Sequence, residues 1–124
     1  MRRITLIGFG AIGRSVYQRL QGHARLQIDA VVVPPRSVAA TQAAVAAGTR
    51  VCTEVPEDAY LLLECAGHAA LVAHVLPALE RGVVDCAITG SGSGAAARWP
   101  EVSTHISNMP VSWAIAGYLV NVAW

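Results

Sequence analysis

Six residues near the start of the chain constrain its fold more than any others: Gly8-Phe9-Gly10-Ala11-Ile12-Gly13. The run before them, Arg3 to Gly8 (RITLIG), is short, apolar and closed by glycine, the pattern of a buried strand. The run after them sets Ile12, Val16 and Leu20 at i, i+4 and i+8, with Arg14 and Arg19 elsewhere around the turn, which predicts an amphipathic helix over residues 11–21. A G-x-G-x-x-G spacing alone is weak evidence, since glycine-rich turns are common. Between a strand and a helix it has a mechanism. Gly8 permits the tight turn, Gly10 lets the backbone approach a diphosphate with no Cβ in the way, and Gly13 lets the helix pack close to the strand. The free N–H groups and the positive end of the helix then face the phosphates. The competing reading is the same turn with no ligand.

A second strand is expected over residues 28–33 (IDAVVV), rich in β-branched side chains and stopped by Pro34-Pro35, which neither continue a ladder nor enter a helix directly. Ser37 is placed to N-cap an alanine-rich helix through Ala47, with Gly48 as its C′ residue. A short third strand over residues 49–53, a loop containing Pro56 and a fourth strand over residues 60–65 (YLLLEC) follow. Residues 68–81 then read as a helix with Leu71, Val72, Val75, Leu76 and Leu79 on its apolar face, bent or divided by Pro77. Gly82 ends it, and residues 83–88 (VVDCAI) read as a fifth strand. Strands alternating with helices imply the α/β class: a doubly wound, Rossmann-type parallel sheet with right-handed crossovers and expected order 3-2-1-4-5.

The ends of the strands carry the remaining candidate residues. An NAD-specific site usually offers an acid at the end of the second strand to bond the ribose 2′-hydroxyl. This chain has Pro34-Pro35-Arg36-Ser37 there, and Asp29 stands too early in the strand to serve. Arg36 and Ser37 suit a 2′-phosphate, and Arg36 also suits stacking on the adenine, so NADP is expected to be accepted as well as NAD. Arg36 as a solvated loop residue is the alternative. Ala66, Gly67 and His68 follow the fourth strand, beside the switch point where ligands lie in open α/β sheets. Cys65 has no cation or base visibly placed to activate it as a nucleophile. His23, His74 and His105 lack ligand spacing, so no metal site is expected.

Composition narrows the classes further. Net charge is +1 with His neutral, which gives no electrostatic case for a nucleic-acid or membrane-surface partner. The nine basic residues are all Arg, which excludes a Schiff-base or P-loop lysine within these residues. The three cysteines, Cys52, Cys65 and Cys86, form no C-x-x-C pair and read as reduced thiols of a cytoplasmic protein. The start superficially looks like a signal peptide, but its apolar run is broken by glycines and followed by Arg14.

Taken together, IGFGAIG, DAVVVPPRS, ECAGHAAL with HVLPALERG, and DCAI resemble the N-terminal domain of the L-aspartate dehydrogenase family, related to homoserine dehydrogenase. The resemblance covers about residues 3 to 88. It implies oxidative deamination of L-aspartate, using NAD or NADP, through iminoaspartate to oxaloacetate and ammonia, with the imine feeding NAD biosynthesis in some organisms. It implies cofactor contacts at Gly8, Phe9, Gly10, Ala11, Ile12 and Gly13, at Pro34, Arg36 and Ser37, and at Ala66, Gly67 and His68. From Thr89 the sequence (TGSGSGAAARWPEVS) departs from the family pattern, and the family's catalytic histidine has no counterpart; His105 is not in a matching motif.

The expected organisation is thus a dinucleotide-binding domain over residues 1–90 and a divergent tail over residues 91–124, read as an extra strand or a truncated remnant. The tail holds all three tryptophans, and from Val102 onward it has no Asp, Glu, Lys or Arg. A frameshift or truncation is one account of the change. A non-catalytic dinucleotide-binding module, docking on another chain or as a homo-oligomer through the apolar stripe of residues 109–124, is the alternative function.

Overall fold

A computed structural model of the chain describes residues 1–86, 95–96 and 98–105. Four strands, β1 (Arg2–Ile7), β2 (Leu26–Val32), β3 (Arg50–Cys52) and β4 (Leu62–Glu64), form one parallel sheet in the order β3-β2-β1-β4. The order reverses at β1, which pairs with β2 on one side and β4 on the other. Alternation along β1 sorts the core into two layers. Ile4 and Leu6 join Tyr17, Ile28, Val31 and Val33, while Ile7 joins Val32, Val55, Ala59, Val75 and Ala78.

Helices cover both layers, which makes the sheet doubly wound. α1 (Ala11–Leu20) and α2 (Val38–Ala44) serve the first, through Tyr17, Val16, Leu20 and Val38. The second is covered by α3 (His68–Ala70), a π-helical stretch (Leu71–Val75) and α4 (Leu76–Glu80). Pro77 divides this run as expected. Its ring has no N–H to offer the carbonyl of Ala73, and just before it the Leu76 N–H bonds the carbonyl of Leu71, the wider π spacing.

Several expectations are corrected. The buried face of α1 is Gly13 and Tyr17, flanked by Val16 and Leu20; Ile12 is 67% exposed. Val72 is likewise exposed, and Ala78 takes an inward place on α4. Pro35 does enter a helix, opening a 3-10 turn (Pro35–Ser37) ahead of α2, because its fixed φ suits a first helical position. Ser37 precedes α2 without a side-chain cap, and α2 stops at Ala44, so Gly48 (φ +97°) lies in a later turn rather than at C′.

Among the described residues there is no fifth strand. Val83 donates its N–H to the Ala78 carbonyl at 2.9 Å, closing the helix rather than joining a ladder, and residues 83–85 form a bend. Residues 87–88 of that expected strand, and residues 106–124 of the tail, lie outside the described residues. Trp99 opens a short 3-10 turn (Trp99–Glu101) and is buried in the same layer as Ile7 and Val75. No helix among the described residues is long and apolar enough to cross a membrane.

Candidate functional site

Three loops leave the carboxyl ends of the adjacent strands β2, β1 and β4. The middle one is the glycine loop. Gly8 donates its N–H to the Val32 carbonyl at 2.8 Å and turns with φ +92°, where a side chain is strained. A Cβ on it would stand 2.6 Å from the Ala66 Cβ, and one on Gly13 would stand 2.2 Å from the Gly8 carbonyl oxygen. The chain's own packing therefore requires glycine at both positions. Gly10 is different. Its φ of −75° and ψ of −160° suit any residue, and a Cβ there meets nothing within 4 Å among the described residues. Nothing among the described residues requires glycine at Gly10; an approaching ligand would.

Gly10 is also the N-cap of α1, and it brings no side chain to bond the helix amides; the first turn carries no acid. The first N–H with an intrahelical acceptor is that of Arg14, on the Gly10 carbonyl at 2.9 Å. The amides of Ala11, Ile12 and Gly13 have no acceptor among the described residues and stand at the positive end of the helix. Phe9 is half-buried, its ring edge-on to Tyr17 with centroids 5.5 Å apart. Arg14, which the sequence pattern sets only off the apolar stripe of the helix, folds back onto this loop. Its Nε donates to the Phe9 carbonyl at 3.2 Å and its guanidinium lies 5.5 Å from the Phe9 ring centre. The available signal was its position directly after Gly13.

At the end of β2, the Val33 N–H bonds the Cys52 carbonyl and Pro34 leads out into the 3-10 turn. Arg36 is exposed and has no hydrogen-bond or ion-pair partner among the described residues; Ser37 is half-buried. Asp29, the acid on β2, is an unpaired bulge residue between Ile28 and Ala30, and its carboxylate takes Arg50 at 2.9 Å. As expected from its place in the strand, it is not at this end of the sheet.

At the end of β4, the Cys65 N–H bonds the Ile7 carbonyl at 2.8 Å. The Glu64 carboxylate curls forward and accepts the N–H of Ala66 and, at 2.5 Å, that of Gly67. This fixes the turn that touches Gly8, a role sequence reasoning missed although the acid stands two and three residues before those amides. Ala66 and Gly67 are exposed, Gly67 has φ +102°, and His68 begins α3; the His68 side chain lies outside the described residues. Burial, and then the Glu64 charge, push the Cys65 thiol up, away from a reactive thiolate. No cluster of His, Cys, Asp and Glu among the described residues is suited to a metal ion.

The family model of the homoserine dehydrogenase NAD-binding domain matches residues 8–103. The chain belongs to that family. Relatives named L-aspartate dehydrogenase match this NAD-binding domain at about 40% identity. That of Ralstonia pickettii is 41% identical over 98 residues, covering 75% of this chain and 36% of the relative. The Polaromonas sp. protein is 42% identical and the Pseudomonas aeruginosa protein 40% identical, each over 98 residues with the same coverage. The chain thus spans about a third of the length of the curated relatives it matches. No solved structure matches it. The cofactor of this type of domain is NAD.

Proposed function

We propose that this domain is the cofactor-binding part of an L-aspartate dehydrogenase-like oxidoreductase. The reaction takes a hydride from Cα of L-aspartate to the cofactor and releases a proton from its amine, giving iminoaspartate, and water then converts the imine to oxaloacetate and ammonia. The imine can also supply NAD biosynthesis. When bound, the nicotinamide ring supplies the hydride acceptor. The observation that carries the reading is Gly10: an open cradle at an uncapped helix start, where no described residue packs so closely as to require a glycine.

In this reading the amides of Phe9, Gly10, Ala11, Ile12 and Gly13 face the diphosphate, with Gly8 shaping the turn. Ala66, Gly67 and His68 meet the nicotinamide half, in a turn held by Glu64. Pro34 sets the height of the loop that carries Arg36 and Ser37 to the adenosine ribose. With Asp29 engaged by Arg50, the free Arg36 cation favours a 2′-phosphate, so NADP is bound as well as NAD. The protein works in the cytoplasm; its cysteines are free thiols, in keeping with a reducing compartment.

Titration of NADH and NADPH by fluorescence tests the binding. Both are expected to bind, and Arg36→Ala is expected to weaken NADPH more than NADH. A thousandfold preference for NADH would remove the role given to Arg36, and no binding of either would remove the whole reading. Aspartate-dependent reduction of NAD or NADP by the full-length protein tests the reaction.

A further inference from the structure

We infer that Arg14 is a phosphate-binding side chain of the dinucleotide site, held ready by the ring and carbonyl of Phe9. The inference rests on the cofactor reading above and adds to it a residue outside the glycine motif. Three observations carry it. Arg14 closes the first turn of α1, where the macrodipole is positive and a cation is disfavoured. No acid in that turn offsets it. The side chain nevertheless turns back toward the helix start: Nε bonds the Phe9 carbonyl at 3.2 Å and the guanidinium lies over the Phe9 ring. Its terminal nitrogens have no protein partner among the described residues.

A cation, three free amides and a helix dipole of the same sign therefore converge on the space that Gly10 leaves open. Such an arrangement is electrostatically unfavourable while empty, and a diphosphate relieves it. The Phe9 contacts explain how the guanidinium is kept there. Fixing one nitrogen on a carbonyl and the plane on a ring reduces the rotamer freedom lost on binding and leaves the outer donors for phosphate oxygens. Phe9 is itself fixed by its edge contact with the buried Tyr17, so the cation's position is tied to the core.

The test compares wild type, Arg14→Gln and Arg14→Lys by NADH titration at two ionic strengths, with thermal melting of each protein without cofactor. The expected result is a Kd about tenfold higher for Arg14→Gln, with a flatter salt dependence. Its melting temperature is unchanged or raised, because a charge has left the wrong end of a helix. Arg14→Lys keeps the charge and recovers part of the affinity. Wild-type binding matched by Arg14→Gln would overturn the inference while leaving the cofactor reading intact. So would a loss of affinity that follows a lower melting temperature equally in both variants, which marks a packing role. Failure of the wild type to bind NADH would instead overturn the cofactor reading, and this inference with it.

Discussion

At the amino end of the sheet the charged groups answer one another, whereas at the carboxyl end they are left facing outward. Arg50 bonds Asp29 at 2.9 Å and Asp58 at 3.0 Å, and Arg3 reaches Asp58 at 3.2 Å, so two cations and two carboxylates close a network. A cavity of about 300 Å3 also opens at that end, between the close of α1 and residues 46–49. Its lining has no acidic or basic side chain beyond His23, whose Nδ1 already accepts the amides of Arg25 and Leu26. At the carboxyl end, donors are left without a partner among the described residues: the first amides of α1, the terminal nitrogens of Arg14, and Arg36. A phosphate site is better recognised by unmatched donors than by enclosed volume, since a diphosphate needs charge and N–H groups more than burial.

Substitutions can break this contrast, and the largest effect is expected at Gly13. Gly13→Ala forces a methyl against the Gly8 carbonyl, which should lower stability by about 3 kcal/mol and abolish cofactor binding, read from the denaturant midpoint and an NADH titration. Next is Tyr17→Phe, which removes a hydroxyl bonded to Thr49 at 3.0 Å and to the Ala46 N–H at 2.8 Å. It should cost about 1–3 kcal/mol in the same denaturation and leave the NADH Kd of the folded protein unchanged.

Gly10→Ser should do the reverse. Serine is at least as good an N-cap as glycine, so stability holds or rises, while its hydroxyl occupies the helix amides and raises the NADH Kd about tenfold, or about 1.4 kcal/mol. Equal binding by Gly10→Ser would end the argument from that open position.

The smallest effect belongs to Asp58→Asn. Arg50's hydrogen bond holds the Asp58 carboxyl below the usual carboxylate range. A depressed folded pKa stabilises above the unfolded value and is lost as pH falls through the folded one, so the variant should be slightly less stable than wild type near neutral pH, with the difference closing below about pH 4. Melting curves across that range check it, and cofactor affinity at neutral pH should not move.

The glycine turn, the parallel strands and the division at Pro77 were legible because each is a local matter of allowed φ and missing N–H groups. Helix faces were less so. Hydrophobic spacing in α1 selects Ile12, Val16 and Leu20, yet the helix meets the sheet through Gly13, because its closest approach, to the Gly8 carbonyl, tolerates no side chain. That brings Tyr17, one turn on, into the core and turns Ile12 out. In the later helix the π-helical stretch shifts the phase, so Val72 faces solvent and Ala78 the core. The folded-back contacts of Arg14 and Glu64 had a sequence position but no sequence pattern.

By itself, then, the sequence determined that a side-chain-free turn joins a buried strand to a helix, and so the class of sheet that follows. That Gly8 serves packing as well as the turn was decided only when β4 came alongside β1 and set Ala66 against it. Spacing along the chain reports the conformations a backbone can adopt. The space around an atom depends on segments distant in sequence, and only the tertiary structure brings those together.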